Sequence, residues 1–234
     1  MKFIYSLLVF LMSANFLCGQ TFNQLDSEGK RHGKWKKNYD NTDILRYEGE
    51  FFHGKEIGLF KFYKKHRNKA VLSATKKFNV DNNLVEVKFF TSTGKLVSEG
   101  QMDDRTYVGT WKYYQKDSDE LLILEHYSNK GELDGERYVY YPNGQIAEKQ
   151  TYVAGKLSGE SLWYSENNVL LKSYLYEDDE LHGEAKFYNA QGELISEGTY
   201  KRGKKGGVWK YYENGKLVNE ENFSYVPKPI KKTP

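Results

Sequence analysis

The sequence predicts an all-β fold: a repetitive antiparallel meander of β-hairpins that forms an elongated, twisted sheet. Three observations predict it. A block of about 24 residues recurs along most of the 234-residue chain. Each block opens on a glycine followed by an aromatic run, as in Gly58-Leu-Phe-Lys-Phe-Tyr63, Gly109-Thr-Trp-Lys-Tyr-Tyr114 and Gly207-Val-Trp-Lys-Tyr-Tyr212. Beyond the first 20 residues no stretch carries a sustained 3.6-residue apolar period, so almost no helix is expected.

Residues 1–20 read as a signal peptide. Lys2 supplies a positive start, Phe3 to Leu17 is mostly apolar, and Cys18-Gly19-Gln20 offers small residues near a cleavage point. The apolar stretch is short for a span of roughly 20 residues. An uncleaved anchor is one alternative. A lipid on Cys18 is another, although Asn15-Phe16-Leu17 fits a lipoprotein box poorly. Export places the mature chain in the periplasm, the cell envelope or the extracellular space. Residues 21–226 form the repeat domain. Residues 227–234, with three prolines and three lysines, are expected to be a disordered tail.

The repeat anchors are Gly33, Gly58, Val85, Gly109, Gly135, Gly159, Gly183 and Gly207, spaced 25, 27, 24, 26, 24, 24 and 24 residues apart. Each unit is read as two strands and two turns. The first strand follows the anchor and is built from large residues of high strand propensity. Asn214-Gly215, Asn143-Gly144, Thr93-Gly94, Gln191-Gly192 and Asn167-Asn168 then supply residues that tolerate positive φ. A second strand follows and ends in an aromatic such as Phe51, Tyr152 or Tyr200. A Gly-x-x-x-Gly element, as in Gly29 to Gly33 or Gly203 to Gly207, makes the second turn. About eight units give about 16 strands and, at ~4.8 Å each, a sheet roughly 75 Å long. One hairpin is not stable alone, so stacking against the next copy must bury its aromatics.

These blocks resemble MORN repeats. The likeness lies in the Gly-x-x-x-Gly turn, the aromatic strand after it, and the histidine before the glycine in His32-Gly33 and His182-Gly183. It covers about residues 29 to 225. The Asn-Gly turn followed by Lys/Gln, Leu/Ile and a glutamate is similar to a bacterial variant often labelled as YwqK-type antitoxins of toxin–antitoxin systems. Val85 and Arg105 depart from the pattern. The resemblance implies an extended β-hairpin ribbon that binds proteins or lipids, and it implies no enzyme.

Composition narrows the chemistry. The mature chain carries 34 Lys+Arg against 32 Asp+Glu, which gives no electrostatic case for nucleic acid. Cys18 is the only cysteine, so cleavage behind it removes disulfides, thiol catalysis and cysteine metal sites. None of the five histidines forms a close sequence pair with metal-ligand spacing. Neither a metal nor a cofactor is expected. Glu48, Glu99, Glu148, Glu197 and Glu220 recur in register, as charge partners for nearby lysines do, whereas paired catalytic acids would be a singular event. Asp178-Asp179-Glu180 lacks an EF-hand pattern, and Gly203 to Gly207 reads as the repeat's own turn rather than a phosphate cradle.

The aromatic rows are the candidate binding feature. Trp35, Trp111, Trp163 and Trp209, continued by Tyr114 and Tyr212, serve either as packing between repeats or as a partly exposed groove. The leading expectation is a non-catalytic exported scaffold for a protein partner. A membrane-surface module is the second reading, with Lys201, Arg202, Lys204 and Lys205, together with Lys228, Lys231 and Lys232, as its basic patch. An antitoxin or immunity-type protein is the third. Open sheet edges also offer a route to oligomers.

Overall fold

A computed structural model describes residues 21–224; the expected signal peptide and tail lie outside the described residues. Seventeen strands and no helix occur among those residues. They are β1 (Gln24–Leu25), β2 (Arg31–Asn38), β3 (Leu45–Phe52), β4 (Lys55–His66), β5 (Lys69–Phe78) and β6 (Leu84–Phe90). Next come β7 (Leu96–Asp103), β8 (Thr106–Tyr114), β9 (Leu121–Tyr127), β10 (Gly135–Tyr140), β11 (Ile146–Val153) and β12 (Lys156–Tyr164). The last are β13 (Leu170–Glu177), β14 (Glu180–Tyr188), β15 (Leu194–Lys201), β16 (Lys204–Glu213) and β17 (Lys216–Asn222). Each pairs antiparallel with its neighbours in sequence, so the sheet is one open meander. Substantial contacts run only between consecutive strands. The chain is a single-layer ribbon among the described residues.

The hairpin turns follow the expected chemistry. Asn214 and Gly215 both take positive φ (50° and 72°) between the paired residues Glu213 and Lys216. The same two-residue reversal is made by His53-Gly54, Ala154-Gly155 and Arg202-Gly203. Two positive φ values match the right-handed twist of the flanking strands, which is why asparagine and glycine recur there.

The anchor glycine departs from the expectation. It does not precede the first strand but lies inside it. Gly207 is the fourth residue of β16 and has φ 62°. The ladder jumps there: Glu197 opposes Lys210 and Thr199 opposes Gly206, so one residue of β15 faces three of β16. Equivalent jumps occur at Gly58, Gly109, Gly159 and Gly183. A bulge residue in the left-handed region needs glycine. Where Val85 replaces the glycine, β5 and β6 pair without any shift. A β-branched residue cannot adopt that φ, and the bulge is lost with it.

The bulge sets up the core. Phe60, Trp111 and Trp209, two residues past their anchors, are 1%, 0% and 1% exposed. Each ring lies over a glycine of the preceding strand: a Cβ on Gly49, Gly100 or Gly198 would sit 2.3–2.4 Å from it. The indole N–H of Trp111 donates to Gln101 O at 2.9 Å, and that of Trp209 to Thr199 O at 3.2 Å. Two repeats reverse the arrangement. Ser161 and Ala185 occupy the aromatic position, both fully buried, and Tyr174 on the strand between them takes the glycine position. Its ring fills the space, 5.1 Å from Trp163 and 5.4 Å from Phe187. Large-over-small pairing keeps the volume of the layer nearly constant along the ribbon.

The centre of the ribbon is polar. At Gly135 the aromatic position holds Arg137. Its guanidinium donates to Glu125 at 3.0 Å, Gln150 at 3.2 Å and Glu148 at 3.4 Å. Tyr127 donates to Glu125 at 2.8 Å and the Gln150 amide to Glu148 at 2.9 Å. Glu125 and Gln150 are buried. From β2 onward the backbone pairing is thinnest at the same place: β9 and β10 share two register pairs, extended by a lone bridge between Tyr127 and Leu133.

The two edges of the ribbon differ. Before β2 the chain folds back: Asn23 N donates to Lys34 O at 2.9 Å and Lys36 N to Asn23 Oδ1 at 2.8 Å. Residues 22–26 therefore cover that edge, and their β1 is the strand beyond the expected 16. At the far end all seven residues of β17 are exposed.

Candidate functional site

The structure divides the predicted aromatic residues between two roles. Trp111 and Trp209 are interior, so they pack repeats together and offer no surface to a ligand. This corrects their reading as binding anchors. The cause is the bulge at the glycine, which turns the residue two positions later onto the neighbouring backbone. Tyr107 stacks on Trp111 at 3.7 Å, and the Lys205 ammonium sits 4.1 Å from the Trp209 ring. Trp35 and Trp163 are half-buried. The Trp35 indole donates to Gln24 O at 3.1 Å, and Arg31 lies 5.2 Å from its ring.

Tyr114 and Tyr212 belong to the opposite face. Side chains alternate along a strand, so the face away from the tryptophans carries Lys112, Lys210 and the periodic glutamates. Tyr63 donates to Glu48 at 2.8 Å, Tyr114 to Glu99 at 2.6 Å and Tyr212 to Glu197 at 2.7 Å. In every case the glutamate lies 15 residues before the tyrosine. Lys88 pairs with Glu99 at 2.7 Å, while Lys36 and Lys61 both lie 3.7 Å from Glu48. The repeated carboxylates thus serve as cross-strand partners. Each exposed pair contributes only about 0.2–1 kcal/mol, so their main effect is to hold tyrosine and lysine in fixed positions.

The periodicity produces a repeated shape. Three shallow depressions lie on this face, beside Gly49, Gly100 and Gly198. The first is bounded by Lys36, Glu48, Leu59 and Lys61 and encloses about 410 Å³. The second has Lys88, Glu99, Thr110 and Lys112 at the same repeat positions, and the third has Lys186, Glu197, Val208 and Lys210. Leu59 and Val208 are 53% and 46% exposed. The depressions lie four and then eight strands apart, roughly 19 and 38 Å along the sheet. Exposed aliphatic groups ringed by fixed charges give a surface that can bind.

The tyrosines set an alkaline limit on stability. Burial, followed by a hydrogen bond to its glutamate, pushes the phenols of Tyr63 and Tyr114 up to about 12 from 10.0. Burial does the same to Tyr113 and Tyr174. The folded chain therefore holds protons that the unfolded chain releases from about pH 10. This stabilisation is complete below pH 10 and is lost as pH rises through 12. Urea midpoints measured at rising pH should be level below 10 and then fall; a level profile to 12 would show that the phenols are solvated. On the acid side, the hydrogen bond from Lys88, then that from Tyr114, lowers the Glu99 carboxyl. That contribution is present above 4.5 and disappears as pH falls through the lowered folded value.

Comparison with known proteins bears on the repeat itself. No curated protein matches the chain. Residues 133–154, 181–202 and 205–225 match the model of the MORN repeat variant. Each matched segment starts two residues before an anchor glycine. Together they span the hairpins β10–β11, β14–β15 and β16–β17. Outside the matched segments, the repeats at Gly58, Gly109 and Gly159 carry the same kind of bulge. In three of its hairpins this chain is thus similar to the MORN repeat variant, a kind of repeat commonly used to bind proteins or membranes.

Proposed function

We propose that this protein is an exported, non-catalytic scaffold that holds a protein partner along its lysine–glutamate–tyrosine face. The observation that carries the reading is the triple recurrence of one depression, beside Gly49, Gly100 and Gly198, with an aliphatic group exposed at two of the three. A partner with a periodic surface can engage the three together, and linked weak contacts multiply in affinity. The lysines there are largely matched by glutamates, so the face is not a cationic field for acidic lipid. Lys205 of the basic patch is turned onto the Trp209, Tyr211 and Phe223 rings.

The test starts with affinity capture from the envelope fraction of the source cells. Identification of the captured protein and calorimetry with the purified pair follow. Leu59→Glu and Val208→Glu change exposed groups and leave the bulge and core intact, so the fold should persist by circular dichroism. Binding should weaken at least tenfold in either variant. Undiminished binding by both would remove this face from the reading. Binding to acidic vesicles that fades with salt would favour the membrane-surface role. Capture of a toxin would favour the antitoxin role. A mature N-terminus at Met1 would overturn export by a cleaved signal peptide.

A further inference from the structure

The turns at the covered edge bring together three residues that sequence spacing keeps apart. Asp26 ends the N-terminal fold-back, His32 is in β2, and His53 makes the turn between β3 and β4. One ligand-type atom of each lies within 4.8 Å of the others. We propose that Asp26, His32 and His53 bind a Zn2+ ion.

The backbone fixes all three positions. Asp26 Oδ1 accepts from Glu28 N and Lys30 N, both at 2.9 Å, leaving Oδ2 toward His53 Nδ1 at 2.7 Å. Gln24 pairs with His32 across the β1–β2 ladder. The His53 turn is tied to β2, with Gly54 N donating to Arg31 O at 2.8 Å. Independently, His32 Nδ1 is buried with no hydrogen-bond partner. A buried imidazole nitrogen without a partner is rare in folded proteins, and a metal ion would satisfy it. The Phe52 ring lies 5.4 Å from that of His32 and 4.5 Å from that of His53.

Two imidazoles and a carboxylate match the ligand set that Zn2+ takes in tetrahedral sites with one position open. Tetrahedral bonds of 2.0–2.1 Å put ligand atoms about 3.3 Å apart, so a small inward movement of the side chains would close the cluster. The other histidine at this repeat position lacks the set. His182 pairs with Glu177 at 3.3 Å, and where His53 stands the later repeat has Arg202, a cation.

The untagged full chain, stripped with a chelator and dialysed against Zn2+, should retain one ion. Co2+ in its place should give the intense visible band of a four-coordinate site. His53→Asn keeps a residue that tolerates the left-handed turn, so it should fold while losing affinity roughly tenfold or more. His182→Ala should bind as the parent does. A parent chain that retains no Zn2+, or equal retention by His53→Asn, would overturn the assignment.

Discussion

Replacing Arg137 by alanine is expected to lower the unfolding free energy by about 3–5 kcal/mol, as removal of one partner from a buried ion pair does. Arg137 stands where other repeats place Trp111 or Trp209, and it is the counter-charge for Glu125 and Glu148. The Glu125 side chain is 11% exposed. Without the guanidinium that carboxylate has only the Tyr127 hydroxyl. The weak β9–β10 pairing adds to the damage, because few backbone hydrogen bonds hold the two sides together while the side chains repack. A companion variant separates charge from space: Arg137→Met with Glu125→Leu removes the more buried pair, keeps apolar volume and leaves Glu148 its bond from the Gln150 amide, and it should recover most of the loss. Urea denaturation of the parent, the single and the double variant measures this. A cost below about 1 kcal/mol for Arg137→Ala would show that water already satisfies the carboxylates.

The second large effect is expected at Gly100. Its backbone is ordinary, so any cost of Gly100→Ala is steric. The new methyl would lie 2.4 Å from the Trp111 ring. That ring cannot retreat, because Tyr107 stacks on it and Gln101 O holds its N–H. Overpacking of this kind costs about 1–3 kcal/mol. Trp111→Ala, which opens a cavity beneath Val85 and Val87, should cost about 3–5 kcal/mol. The two together should cost less than their sum by about 1 kcal/mol or more, since the methyl enters space that the indole has left. Additive costs would mean that Gly100 is needed for its backbone and not for the ring above it. The Tyr174–Ser161–Ala185 arrangement already shows the chain making the opposite exchange.

Much of the fold is legible before any coordinates. Asn214-Gly215 announces its own turn, the 24-residue spacing announces the hairpin, and the register of Glu48, Glu99 and Glu197 announces their cross-strand partners. Two features escape for definite reasons. The anchor glycines look like strand starts because a one-residue alternation cannot reveal a bulge in which three residues oppose one. Only the regular pairing at Val85 shows what those glycines do. Whether Trp111 and Trp209 pack or face outward stays open in the sequence because the glycines that make room for them, Gly100 and Gly198, lie on a different strand about 11 residues earlier. Arg137 is hidden for the same reason: its partners come from the two flanking strands, β9 and β11. His53 sits 21 residues from His32, and only the fold-back of residues 22–26 and the turn after β3 unite them with Asp26.

The unequal edges give the ribbon a direction. One rim is sealed by the chain's own fold-back, and at the other no strand lies beyond β17 among the described residues. In a structure whose parts touch only their immediate neighbours, disorder advances like a zipper opening, and it starts where a strand has one neighbour instead of two. Opening should therefore begin at β17 and travel toward the sealed rim, slowing at each indole clamp and gaining speed at the Arg137 seam. The two halves on either side of that seam would then melt as successive blocks, the later-synthesised half first, although a single chain and a single sheet connect them.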